Sequence, residues 1–133
     1  MIAAAPTARP RSRARVALSV LQVVLGLFMA VGSGAPKLFG EATAVLAFDA
    51  IGAGDWFRYL IGALEVVGGI ALMVPMLAGL AAACFVVLMT GAVFFQVAVI
   101  GTAEYVYTPI VLGLLFALIA RVRRDEIRAL VRR

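Results

Sequence analysis

The sequence predicts an all-α fold, an integral membrane four-helix bundle with a short interfacial segment between helices 1 and 2, and three observations predict it. Hydrophobic residues make up 65% of the 133 and charged residues only 14%, with a mean hydropathy of +1.10, whereas a soluble domain holds about 45–50% apolar and about 25% charged residues. The apolar residues fall into four runs that meet the roughly 20 residues a spanning helix needs. Ten of the twelve basic residues lie in two terminal blocks, Arg9 to Arg15 and Arg121 to Arg133. By the positive-inside rule both termini are then cytoplasmic and the protein sits, multi-pass, in the cell (inner) membrane. One domain is expected, residues 16–122, between a flexible Arg-rich tail at 1–15 and a basic tail at 123–133.

Before the first span, Pro6, Pro10 and the lack of any apolar period predict a tail at the membrane surface. The span itself is expected from Val16 to Ala35. An Arg-rich start before an apolar run also describes a signal peptide, and Ser33 and Ala35 are small at the offsets of a cleavage site. Pro36 after the cut, and the length of the run, favour an uncleaved span. Gly32, Gly34 and Pro36 should loosen the far end of this helix, which is tolerated at membrane depth only where other protein covers it.

Leu38 to Trp56 is mixed. Val45, Phe48 and Gly52 share a helical face while Glu41 and Asp49 add polarity, the pattern of a short interfacial helix rather than a fifth span. Trp56 and Tyr59 bracket Arg58 as an interfacial aromatic belt would. The second span runs from about Phe57 to Val74 and stops at Pro75. Almost no loop separates it from the third, Leu77 to Ile100, so the two must form a tight antiparallel hairpin. In the third span Gly79 and Ala83 form a small-xxx-small pair, and Phe85, Met89, Ala92 and Gln96 share another stripe. Gly101 to Pro109 turns the chain into the fourth span, with Tyr105 and Tyr107 as interface anchors. The tail from Arg121 has the pattern of a short amphipathic extension.

Glu65 stands alone among apolar residues in the second span. A mid-membrane acid costs about 2.5–3.5 kcal/mol to insert, so it needs a partner or a proton, and it is the candidate catalytic residue. Gly62, Glu65 and Gly69 recur at helical spacing, which turns Glu65 toward another helix rather than lipid. Lys37 has two readings. It is either a snorkelling side chain whose ammonium reaches headgroups, or the ion-pair partner of Glu65, which lies about 10 Å below Arg58 at about 1.5 Å per residue. Gln96 needs a hydrogen-bond partner if buried and points to the same membrane side. Lys37, Glu65 and Gln96 are therefore the candidate ligand-binding or buried polar cluster. A single cysteine, Cys84, and the absence of histidine give no reason to expect a metal site or an intrinsic cofactor. No aromatic is interleaved with the terminal arginines, which argues against nucleic acid; the lipid bilayer, anionic lipids included, is the expected partner.

Phe28 to Leu38, a small-residue stretch running into Lys37, Gly62 to Pro75 with Glu65 inside it, and Met89-Thr90-Gly91-Ala92 on the third helix together resemble the DoxX-like family of small bacterial membrane proteins. The resemblance covers about Val16 to Arg123. It implies a four-helix membrane bundle and, for some relatives, a place in a thiosulfate:quinone oxidoreductase or in redox assemblies of oxidative stress. Many relatives place a histidine on the third helix close to where Gln96 stands. This chain has none, which weakens an inherited proton-transfer or cofactor role.

Three functions are open on these grounds. A redox-associated subunit would hold a quinone headgroup near Lys37, Glu65 and Gln96, with Phe and Met side chains around the ring and a partner membrane or soluble redox protein supplying electrons. A small proton-coupled carrier would let Glu65 alternate between Lys37 and a protonated state, and at 133 residues would need a homo-oligomer to form a pathway. A non-catalytic scaffold or assembly module would use Lys37 and Glu65 only to fix helix register. The expectation is the first, an accessory subunit of a quinone-linked oxidoreductase.

Overall fold

The structure, a computed structural model, describes residues 12–132. Helix α1 (Arg13–Phe39) starts ahead of Val16 because Ser12 caps it, its hydroxyl accepting from the Arg15 N–H at 3.3 Å. The rest of the tail expected over 1–15, Arg9 and Arg11 included, lies outside the described residues.

The loosened end expected at Gly32 to Pro36 is instead unbroken helix. From Phe28 to Gly34 the backbone widens to π-helical geometry, and the Ala35 N–H reaches back to the Ala30 carbonyl. Proline has no N–H for the next α-helical bond, and a bonding pattern shifted by one residue absorbs that loss without a break. The helix stops at Gly40, whose φ of +74° lies in the left-handed region that favours glycine.

Glu41 starts the interfacial helix α2 (Ala42–Ile51). Its carboxylate accepts from the backbone N–H groups of Thr43 and Ala44 at 3.0 and 3.1 Å, and these bonds hold its pKa below the ordinary glutamate value. A depressed folded-state pKa contributes stability that is present above the unfolded pKa and lost as pH falls through the folded one. Amide-exchange protection of Thr43 and Ala44 is therefore expected to fall as pH drops below about 4, and to lose that pH dependence in Glu41→Gln.

Helices α3 (Asp55–Met73), α4 (Ala78–Ile100) and α5 (Ala103–Val122) complete the four that are long and apolar enough to cross a membrane. A short amphipathic helix, α6 (Arg124–Val131), follows. Val74 to Leu77 form the tight hairpin between α3 and α4. Val31, Val67, Val87 and Leu114, one on each long helix, are 66–73% exposed, a surface suited to lipid rather than water. Trp56, Tyr59, Tyr105 and Tyr107 are exposed near the ends that α3 and α5 share with α2, as an aromatic belt requires.

In the bundle α1 packs on α3, α3 on α4, and α4 on α5. The α1–α3 contact is a seam of small residues. A Cβ added at Gly69 would lie 2.5 Å from the Gly26 carbonyl oxygen and 2.9 Å from the Ala30 nitrogen, and one at Gly34 would lie 2.9 Å from the Gly62 carbonyl oxygen. Gly26, Ala30 and Gly34, four residues apart on α1, thus face Gly62 and Gly69, seven apart on α3, the arrangement that lets two membrane helices meet backbone to backbone.

The two halves of the bundle are packed differently. Toward the termini, Leu25, Leu72, Ala82, Phe116 and Ile119 are almost fully buried and Phe85 stacks on Phe116 at 4.7 Å. Gln22, buried in α1, donates to the Leu72 carbonyl at 3.4 Å and accepts from the Arg123 guanidinium, which also pairs with Glu126 at 2.7 Å. This clasp ties the start of α6 to the bundle. In the other half α2 rests on the start of α3 and the end of α4, where Phe57 meets Phe48 and Phe95 with centroids 5.7 and 5.6 Å apart. Beneath that aromatic roof the helices do not close.

Candidate functional site: a cavity with one buried ion pair

The open half holds a cavity of about 500 Å³, bordered by α1, α2, α3, α4 and α5. Its walls are mainly apolar: Phe28 and Met29 from α1, Phe48 from α2, Phe57 and Leu64 from α3, Leu88, Met89 and Phe95 from α4, Leu112 from α5. Small side chains leave the space open. Gly91 and Ala92 face it from α4, and a Cβ added at Gly91 would meet nothing within 4 Å. A volume of this size accommodates a ring-sized organic ligand, and a mainly apolar lining with a few convergent polar groups is how such sites are built.

The polar part of the wall is Lys37, Ser33 and Glu65. Lys37 Nζ lies 2.7 Å from Glu65 Oε2, and it also donates to Ser33 Oγ at 2.9 Å and to the Ser33 carbonyl at 3.1 Å. Glu65 is 4% exposed. A buried pair repays the desolvation of two charges only when its geometry is good and the remaining donors are satisfied. Here all three ammonium protons have acceptors. The π-helical stretch of α1 ends beside Ser33, so the same local widening that absorbs Pro36 sets the residue that shares the lysine. Of the two readings of Lys37 in the sequence, the structure has the ion pair rather than the snorkelling side chain.

Arg58 holds this pair from behind. The sequence places it among interfacial aromatics, but it is 5% exposed and its guanidinium donates to the Lys37 carbonyl. It also lies 4.4 Å from the Tyr59 ring centroid and 3.9 Å from Asp55, and it caps the last turn of α1 from α3. A signal for it was present: Lys37 and Arg58 are the two basic residues outside the terminal blocks.

Gln96 borders the cavity but does not touch the pair. Its Nε2 donates to the Thr102 carbonyl at 3.0 Å and to the Thr102 hydroxyl, closing the end of α4. Of the stripe Phe85, Met89, Ala92 and Gln96, the last three line the cavity and Phe85 sits in the core. Ser33, which the sequence offers only as a small residue at the offset of a cleavage site, is the third member of the polar wall. Among the described residues, no group of three or more His, Cys, Asp or Glu is placed to hold a metal ion.

A sequence profile described as the DoxX-like family matches residues 20–119. No curated protein and no solved structure matches the chain.

Proposed function

The chain belongs to the DoxX-like family, and on that premise we propose that it is a redox-associated, quinone-linked membrane subunit acting with partner proteins. The observation that carries the reading is one mainly apolar cavity with the Lys37–Glu65 pair in its wall, the ammonium's three protons all committed. The residues present fit the ring of a quinone: Phe28, Met29, Met89 and Phe95 offer flat and adaptable contacts, and Glu65 offers a polar anchor at mid-depth. A bound quinone would supply two-electron, two-proton redox chemistry. The chain's part is to exclude water, orient the ring and hold a proton at the Glu65 carboxyl. Electrons would come from a partner membrane or soluble protein, and the inner membrane with both termini cytoplasmic is the location the basic end blocks support.

The test is a quinone-analogue titration on purified protein in nanodiscs, comparing the wild type with Glu65→Gln confirmed as folded by circular dichroism and gel filtration. Saturable binding is expected in the wild type, and for a hydroxyl-bearing analogue it should weaken by about ten-fold or more in the variant, the scale of one hydrogen bond to a charged group. Absence of binding by the wild type would support a register-fixing ion pair in a scaffold, or a carrier, instead.

A further inference from the structure

We infer that the cavity prefers the reduced, hydroxyl-bearing form of its ring ligand over the oxidised, carbonyl-bearing form, an inference that rests on the cavity being a quinone-class site. The hydrogen-bond inventory of the wall carries it. A lysine ammonium has three protons, and those of Lys37 are committed to Glu65 Oε2, Ser33 Oγ and the Ser33 carbonyl. None is left for a ligand carbonyl. The Gln96 amide nitrogen faces the Thr102 carbonyl oxygen, so its orientation is settled and its oxygen is the end without a partner.

What remains are acceptors. Among the described residues Glu65 Oε1 takes no bond from Lys37 and Gln96 Oε1 none from Thr102, the Ser33 hydroxyl is the other donor beside the Glu65 carboxylate, and neither oxygen is a sealed buried atom. Both residues border the cavity. The Ser33 and Thr108 hydroxyls also border it, and they serve either sense and do not discriminate. A ring hydroxyl can donate to Glu65 Oε1. A ring carbonyl in the same place sets its lone pairs against a carboxylate oxygen, and Lys37 can serve it only by giving up one of its bonds to Ser33. The same carboxylate opposes an anionic head, so a fatty-acid carboxylate is disfavoured beside a neutral hydroquinone.

The experiment uses the wild-type protein in nanodiscs and a short-tailed benzoquinone substituted at every ring position, so that the thiol of Cys84 has no open carbon to add to. The same compound, reduced to its hydroquinone and kept anaerobic, is titrated in parallel. Binding is read as retention above protein-free nanodiscs, and protection of Cys84 from a maleimide locates it, because Cys84 borders the cavity and is the chain's one cysteine. The hydroquinone is expected to bind and protect at concentrations about ten-fold below the quinone. A folded Glu65→Gln variant, whose amide both donates and accepts, should narrow that gap. Equal or tighter binding of the quinone overturns the preference and leaves the quinone-class reading standing. Binding of neither form, or binding that leaves Cys84 unprotected, overturns both.

Discussion

Lys37→Met is expected to destabilise the protein by roughly 3–5 kcal/mol, the cost of removing one partner from a buried ion pair. The substitution keeps roughly the length of the stem and removes the ammonium, so Glu65, 4% exposed, loses its ion-pair partner and keeps only the Ser33 hydroxyl as a neighbouring donor. Glu65→Leu should cost less. Lys37 would keep its bonds to the Ser33 carbonyl and hydroxyl, and it lies two residues from the end of α1, within reach of the interface for a flexible side chain. The double variant Lys37→Met/Glu65→Leu should recover most of the loss, because replacing a whole buried pair by apolar residues is often neutral or stabilising. SDS-titrated unfolding in mixed micelles measures all four proteins and yields the coupling directly. Near-additive losses would mean that the pair is hydrated and contributes little to holding α1 on α3. A recovered double variant that no longer binds a quinone analogue would separate the site from the scaffold.

Gly69→Ala is expected to destabilise by about 1–3 kcal/mol, although in an isolated helix alanine is favoured over glycine by roughly 1 kcal/mol. Its Cβ would stand 2.5 Å from the Gly26 carbonyl oxygen, 2.9 Å from the Ala30 nitrogen and 3.0 Å from the Ala30 Cβ. The first two are backbone atoms, which no side-chain rotation can move aside, so α1 and α3 must separate. Gly91→Ala is the matched control: a Cβ there meets nothing within 4 Å, and propensity alone should leave it neutral or slightly more stable. Unfolding midpoints of the two variants check the contrast. Because the seam brings Ser33 and Lys37 to Glu65, Gly69→Ala should also weaken ligand binding without touching the cavity wall. Equal stability of both variants would show that the α1–α3 contact yields readily.

Much of this protein could be read without coordinates, and the reason is that hydropathy is a local property. Four apolar runs, a hairpin forced by Pro75, and an interfacial helix flagged by Glu41 and Asp49 all follow from residues close together in the chain. Lys37 and Glu65 were visible for the same reason, since a charge inside an apolar run has to be explained whatever it touches. Element ends were less legible. Ser12 and the π-helical absorption of Pro36 turn on individual backbone hydrogen bonds that hydropathy does not sense.

Which charges meet and where the bundle stays open depend on how the helices pack. Helix rotation and crossing angle place Arg58 behind Lys37 rather than in the interface, bring Gln22 to Arg123 from opposite ends of the chain, and set Gly26, Ala30 and Gly34 against Gly69 and Gly62. Gln96 has two nearby acceptors on Thr102, and their geometry turns it away from the ion pair. The cavity is the most collective feature of all. No single residue encodes it, because it is volume that Gly91, Ala92 and the roof of α2 jointly leave unfilled while Phe85 and Phe116 fill the other half. Residue order alone required that a lone glutamate be accommodated inside an apolar bundle, with Lys37 free to snorkel or to pair; packing made the pair and set it in the wall of a space large enough to receive a ligand.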